Sequence, residues 1–180
     1  VISALYSNGE GSRIIAGDYD PARAGERLSG FAGLECRKVD FADSRTFRTA
    51  LHEVEVVFLL RPPKLADVNK YFKPFINAMK DAGISRIVFL SVQGAEKNNF
   101  IPHHKIEDLI LENNLEYVFL RPAYFMQNLS TTLMKEIAEQ DKIFVPAGKL
   151  KLNWVDARDI GLVAAIVLAD IQRYTGNALE

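Results

Sequence analysis

This sequence predicts an α/β fold: a parallel sheet with helices on both faces. Three observations carry the prediction. Short apolar runs alternate with longer stretches whose apolar residues recur at the 3.6-residue helical period. The runs are apolar on both alternating sides, as in Val56-Val57-Phe58-Leu59-Leu60, which suits strands covered by helices on each face. Each run also stops abruptly. Asp18, Asp40, Arg61, Ser91 and Arg121 follow the runs directly or close them, and in such sheets ligands collect at the carboxyl ends of the strands. Ordinary solvent-facing loops explain any one of these residues; five together favour a crevice for a long polar ligand.

The elements follow in order. Val1 to Tyr6 reads as the tail of a helix closed by Asn8-Gly9 and Gly11, residues that tolerate the left-handed conformation. Arg13 to Gly17 is a short strand, Pro21 opens a helical segment through Leu28, and Leu34 to Val39 is a second strand. Asp43 or Ser44 can cap a helix whose apolar face is Phe47, Ala50, Leu51 and Val54. The third strand, Val56 to Leu60, precedes a long helix marked by Leu65, Val68, Phe72, Ile76 and Met79 and closed by Gly83. Pro74 inside it costs about 3 kcal/mol and should kink it. Ile84 to Leu90 is the fourth strand, Pro102 to Glu112 a helix ended by Asn113-Asn114, and Tyr117 to Leu120 the fifth strand. A helix is expected from near Asn128 through Leu133 and Ile137, then extended pieces at 143–145 and 152–155 around a Pro146-Ala147-Gly148 turn. A last helix starts at Asp156 or Asp159, and Gly176-Asn177 forms a turn.

Length and composition bound the function. The 180 residues, 48% of them hydrophobic, suit one domain spanning 1–180 with a single packed core. Charge is almost balanced, 22 Lys+Arg against 23 Asp+Glu, with no basic block interleaved with aromatics, so nucleic acid is not an expected partner. The longest uncharged apolar run, Ile160 to Ala169, is too short to cross a bilayer, so no membrane partner is expected. The single Cys36 excludes an internal disulfide, reads as a structural thiol in a strand, and fits a reducing cytoplasm.

Three runs then form a recognisable set: Ile87 to Gly94 followed by Lys105-Ile106-Glu107; Tyr117 through Arg121-Pro122 to Phe125-Met126-Gln127-Asn128; and Trp154-Val155-Asp156-Ala157-Arg158-Asp159-Ile160-Gly161. In combination they resemble the NmrA-like branch of the atypical short-chain dehydrogenases over nearly the whole chain. The resemblance implies a Rossmann-type doubly wound domain binding NAD(P). It also implies either a small oxidoreductase, quinone reductases included, or a catalytically silent dinucleotide sensor acting through a protein partner.

Carried over by position, the resemblance implies that Asp18 and Tyr19 lie beside the adenosine ribose and Asp40-Phe41 beside the adenine. Leu60-Arg61-Pro62 would run along the cofactor, with Ser91-Val92 at its nicotinamide half. Lys105 would bond the nicotinamide ribose, and Pro122, Ala123, Tyr124 and Phe125 would border the nicotinamide. An acidic strand end accepts both ribose hydroxyls and repels a 2′-phosphate, so Asp18, with Tyr19 where the family often has arginine, leans toward NAD. Arg13 or Arg23 could still reach a phosphate.

Two departures from the pattern follow. The opening strand and glycine-rich turn of the family are absent, and the chain is expected to be a piece incomplete at both ends; a strand donated by a partner chain is the other reading. Where most short-chain dehydrogenases carry a tyrosine acid four residues before the lysine, this chain has Ile101. Alcohol dehydrogenation is therefore disfavoured, whereas reduction of a quinone-like or other small acceptor stays open, with protons from water, His104 or Lys105. Catalytic candidates are thus Lys105, Ser91 and His104. Each has a plainer alternative: an exposed lysine paired with Glu107 or Asp108, a strand-ending serine, and, with His103, a solvated histidine pair in a loop. Adjacent helical histidines face different ways, so no metal site is expected. Trp154 is assigned to the core, Arg121-Pro122 to a turn and salt bridge, and Asp156 and Asp159 to a helix start. A homodimer is compatible with the sequence but has no signature in it.

Overall fold

The computed structural model describes residues 1–7, 11–143 and 152–180. In chain order the elements are α1 (Ile2–Ser7), β1 (Ile15–Asp18), α2 (Pro21–Arg27), β2 (Glu35–Lys38), α3 (Phe47–Ala50), β3 (Val56–Leu60), α4 (Val68–Asp81), β4 (Arg86–Leu90), α5 (Pro102–Glu112), β5 (Glu116–Leu120), β6 (Tyr124–Phe125), α6 (Met134–Gln140), β7 (Trp154–Val155), α7 (Ala157–Ala169), α8 (Ile171–Tyr174) and β8 (Asn177–Leu179). The strands pair in parallel throughout, in the orders β1-β2, β3-β4-β5-β8 and β6-β7.

The alternation of side chains along each strand builds two cores. Ile87 and Phe89 of β4 join Phe119 of β5 on one face, against Phe72, Ile76 and Met79 of α4 and Ile106 and Ile110 of α5. Their neighbours Val88, Val118 and Leu120 point the other way, onto Ala164 and Val167 of α7 and Ile171 of α8. Both faces are dry, which is why these strands read as unbroken apolar runs. The three-layer Rossmann-type doubly wound fold is thus present, with helices on both faces.

Among the described residues no ladder joins β1-β2 to β3; helices and loops connect the two blocks. Phe41, just past β2, packs on Phe72 and Phe75 with ring centroids 5.0 and 5.1 Å apart. Arg37 in β2 is buried and donates to the carbonyls of Thr49, Ala50 and His52. A guanidinium there satisfies acceptors that the end of α3 leaves open.

Several elements differ from expectation for local reasons. The segment capped by Asp43 is a 3₁₀ turn, Ser44–Thr46, followed by the one-turn α3. Glu53 at φ 58° turns the chain away before Val54. The long helix begins at Val68, not near Leu65, because Asp67 accepts from the Lys70 N–H and fixes the start there. It runs on through Pro74 to Asp81. The helix expected from Asn128 is split into a 3₁₀ stretch, Met126–Ser130, and α6. Local hydroxyls explain the split: those of Ser130 and Thr131 both donate to the Gln127 carbonyl and compete with helical pairing. Gly176, at φ +81°, does make a turn, but it delivers the unpredicted strand β8 to the edge of β5. The short pair β6-β7 was half anticipated, as an extended piece at 152–155. Asn8-Gly9, Phe144-Val145 and the 146–148 turn lie outside the described residues.

Candidate functional site

The register fixes a common rim. Leu60, Leu90, Leu120 and Leu179 lie opposite one another across β3-β4-β5-β8, so Arg61, Ser91 and Arg121 leave the sheet side by side. At the matching end of the smaller sheet, Asp18 stands opposite Lys38, and the Val39 N–H donates to the Asp18 carbonyl at 2.8 Å.

A buried charge network holds the middle of this rim. The Ser91 hydroxyl donates to Glu107 Oε1 at 2.5 Å. Arg121 donates to the same carboxylate through Nε at 3.1 Å and Nη2 at 2.7 Å, and its Nη1 reaches Glu96 Oε2 at 3.1 Å. Ser91 and Glu107 are only 2% and 3% exposed, so the carboxylate is stabilised by these donors rather than by water. Glu107 in turn raises the pKa of Arg121. With its O–H directed at Glu107, the Ser91 hydroxyl keeps only acceptor capacity. Ser91 therefore belongs to this network and does not simply end a strand.

The first turn of α5 stands over the same rim. Ile101 is its N-cap and accepts from the Lys105 N–H at 3.4 Å. His103, expected in a solvated loop pair, instead lies within the helix, stacks on Phe89 at 6.1 Å and accepts from Arg61 Nε at 3.4 Å. Burial, with the Arg61 charge adding to it, pushes its pKa down to about 4. His104 is also committed: Nδ1 meets the Ala95 carbonyl at 2.9 Å and Nε2 meets Asp108 at 3.2 Å. Both ring nitrogens of His104 thus face acceptors within the protein. Lys105 is exposed, and its ammonium has no partner among the described residues. The two acids that could have paired with it are engaged elsewhere: Glu107 by Ser91 and Arg121, Asp108 by His104.

The remaining predicted residues fall into two groups. Asp18 accepts from the Asp20 N–H, and Asp40 from the Ala42 N–H, each closing a turn with Oδ1 at 2.9 Å. Tyr19 is 69% exposed with Lys38 Nζ 5.7 Å from its ring centroid, and Leu60 is 58% exposed. Phe41 belongs largely to the aromatic core. Arg61 spends its guanidinium on the carbonyls of Pro62, Pro63 and Leu65 as well as on His103. Pro122, Ala123, Tyr124 and Phe125 are half-buried, as is Val92. The Pro122 carbonyl accepts from the Gln93 N–H, and Tyr124 meets Trp154 edge-on at 5.0 Å. Asp156 caps α7 as expected, its carboxyl held well below the usual range by Arg158.

The sequence reading gave Glu107 and His103 other roles, a partner for Lys105 and a solvated loop residue, and missed Glu96. A signal for Glu107 existed: it is an acid on the apolar stripe formed with Ile106, Leu109 and Ile110, and a buried acid requires a partner. Two cavities of about 350 and 300 Å³ lie elsewhere, the first against Glu35, Arg37 and His52 and the second against Leu5, Tyr6 and Gly33. Both are away from the strand-end rim, so the site is argued from chemistry and not from cavity size. Among the described residues no cluster of His, Cys, Asp or Glu could hold a metal ion, and no helix is long and apolar enough to cross a membrane.

Parallel strands, helices on both faces and polar groups gathered at one rim define a Rossmann-type α/β protein. The chain belongs to the NmrA-like family, whose model matches residues 1–180. It is 37% identical over 143 residues to Prestalk A differentiation protein A of Dictyostelium discoideum, covering 79% of this chain and 46% of that protein. It is 29% identical over 140 residues to the NAD(P)H azoreductase of Xenophilus azovorans, covering 76% and 48%. Its fold matches the NADPH-dependent quinone oxidoreductase of Escherichia coli, solved with NADPH, at a TM-score of 0.84 and 24% identity, covering 99% of this chain and 63% of that one. The chain spans about half the length of the curated relatives it matches.

Proposed function

We propose that this chain is the dinucleotide-binding part of an NAD(P)-dependent oxidoreductase that passes hydride to a quinone-like or other small acceptor. The observation that carries the reading is Lys105, exposed near the start of α5 and without an ammonium partner among the described residues, both neighbouring acids being held by other groups. The relatives point the same way, since one is named for azo reduction and one for quinone reduction.

The residues present fit the nicotinamide half of such a cofactor. When bound, the nicotinamide supplies the hydride. Lys105 donates to the ribose hydroxyls, and Ser91, its own proton held by Glu107, accepts from a ligand O–H or N–H. Pro122 to Phe125 form a half-buried wall that excludes water. Ile101 offers no proton, so in this reading protons come from water, His104 or Lys105. Asp18 and Tyr19 would face the adenosine ribose, Asp40-Phe41 the adenine, and Leu60-Arg61-Pro62 with Val92 the length between.

The lean toward NAD finds no support beyond Asp18, whose Oδ1 is already used in a turn. Lys38 beside Tyr19 could serve a 2′-phosphate, so the cofactor is taken as NAD(P). A single domain over 1–180, a homodimer and a cytoplasmic location are kept as expectations, and light scattering and fractionation check the last two.

The test is oxidation of NADH and NADPH by the full-length protein across a panel of quinones and azo dyes. Turnover with at least one acceptor is expected. Tight dinucleotide binding with no turnover would instead support the silent sensor that Ile101 motivates.

A further inference from the structure

The start of α5 carries a second uncommitted side chain. Phe100 directly precedes the N-cap Ile101 and is 91% exposed. In many helices the residue before the N-cap packs on the fourth residue of the helix, an apolar pair that fixes the entry of the chain. Here that fourth residue is Lys105, so the apolar pair cannot form and the ring is left bare. The backbone beneath it is nevertheless fixed: the Asn98 side chain accepts from the Phe100 N–H at 3.1 Å, and the Ile101 N–H donates to the Asn98 carbonyl at 3.3 Å. No other aromatic ring or cation engages the Phe100 ring among the described residues. The same helical turn reaches the rim through His103 on Arg61 and His104 on Ala95. Phe100, its backbone held in this turn, therefore directly precedes the helix start that carries Lys105, whose ammonium has no partner among the described residues.

We propose that Phe100 is a specificity-determining residue that stacks on the flat face of the acceptor, so that the protein selects planar conjugated aromatic acceptors over compact aliphatic ones. Lys105 beside it favours members of that class bearing an anionic or ionisable oxygen. The proposal rests on the oxidoreductase reading above and adds to it the residue that reads acceptor shape.

The test is equilibrium binding to the full-length protein by isothermal titration, with anthraquinone sulfonate as the planar probe and camphorquinone as the compact one. Phe100→Ala is expected to weaken the planar probe by about three- to tenfold, the range of one aromatic stacking contact. Phe100→Trp should restore it, and the dinucleotide dissociation constant should move by less than about twofold. The thermal midpoint of Phe100→Ala should match wild type, because the ring packs on nothing. Unchanged planar-probe affinity, equal losses for probe and dinucleotide, or a lowered midpoint with the probe unaffected would each overturn the proposal. Wild-type protein that binds the probe through Phe100 but no dinucleotide would sink the oxidoreductase reading while leaving this contact standing.

Discussion

The two ends of the strand-end rim are built on opposite plans. At β3, β4 and β5 the polar side chains are tied to groups distant in sequence, Ser91 and Arg121 through Glu107 and Arg61 through His103. At β1 and β2 they close local turns, Asp18 on Asp20 and Asp40 on Ala42, and leave Tyr19 in solvent. The first end uses charge to hold the fold, so few of its groups remain for a ligand. Lys105 is the exception among the described residues, its two neighbouring acids being held by Ser91, Arg121 and His104. The second end packs Phe41 into the core but presents Tyr19 outward. Function at this rim is therefore to be sought where partners are missing, and structure where they are complete.

Substitutions can break or sharpen that contrast. The largest effect is expected for Glu107→Ala, which leaves the Arg121 charge and the Ser91 hydroxyl without their buried acceptor and should destabilise by about 3–5 kcal/mol, read by urea denaturation. Lys105→Ala should do the reverse, lowering dinucleotide affinity by about ten- to a hundredfold, as for a lost hydrogen bond to a charged group, with stability within about 0.5 kcal/mol. A large loss of stability there would erase the distinction.

His103 gives a smaller, pH-dependent effect. Its folded pKa of about 4 lies below the ordinary histidine value of 6.5, so between these values the unfolded chain binds more protons than the folded one. The contribution is fully present above about pH 6.5 and is lost as pH falls toward 4. For a half-buried ring screened by solvent this is on the order of 1 kcal/mol. His103→Gln should flatten that part of the stability profile, measured by thermal unfolding at successive pH values. The smallest change is expected for Tyr19→Ala: stability within about 0.5 kcal/mol and a few-fold loss of dinucleotide affinity.

Much of the fold was legible because these strands are short, doubly buried and sharply ended. The strand at 56–60 and the helix from Pro102 to Glu112 are found where the sequence puts them, and the strand expected over 84–90 covers 86–90. β8 was not legible: three residues after a glycine, Asn177-Ala178-Leu179, carry no period and become a strand only because β5 offers an open edge. The site divides in the same way. Lys105 could be singled out through its motif, but its freedom depends on Glu107 pairing with Arg121, fourteen residues on and in another element. The roles of His103 and His104 likewise follow from Arg61, Phe89 and Ala95, contacts that only the tertiary fold creates.

The most direct test of the central claim, that the rim around Lys105 holds a nicotinamide dinucleotide, is isothermal titration of the full-length protein with NAD⁺, NADH, NADP⁺ and NADPH, alongside Lys105→Ala. The account predicts saturable heat and a raised thermal midpoint with at least one form, both weakened in the variant. No heat and no thermal shift with any of the four would contradict it.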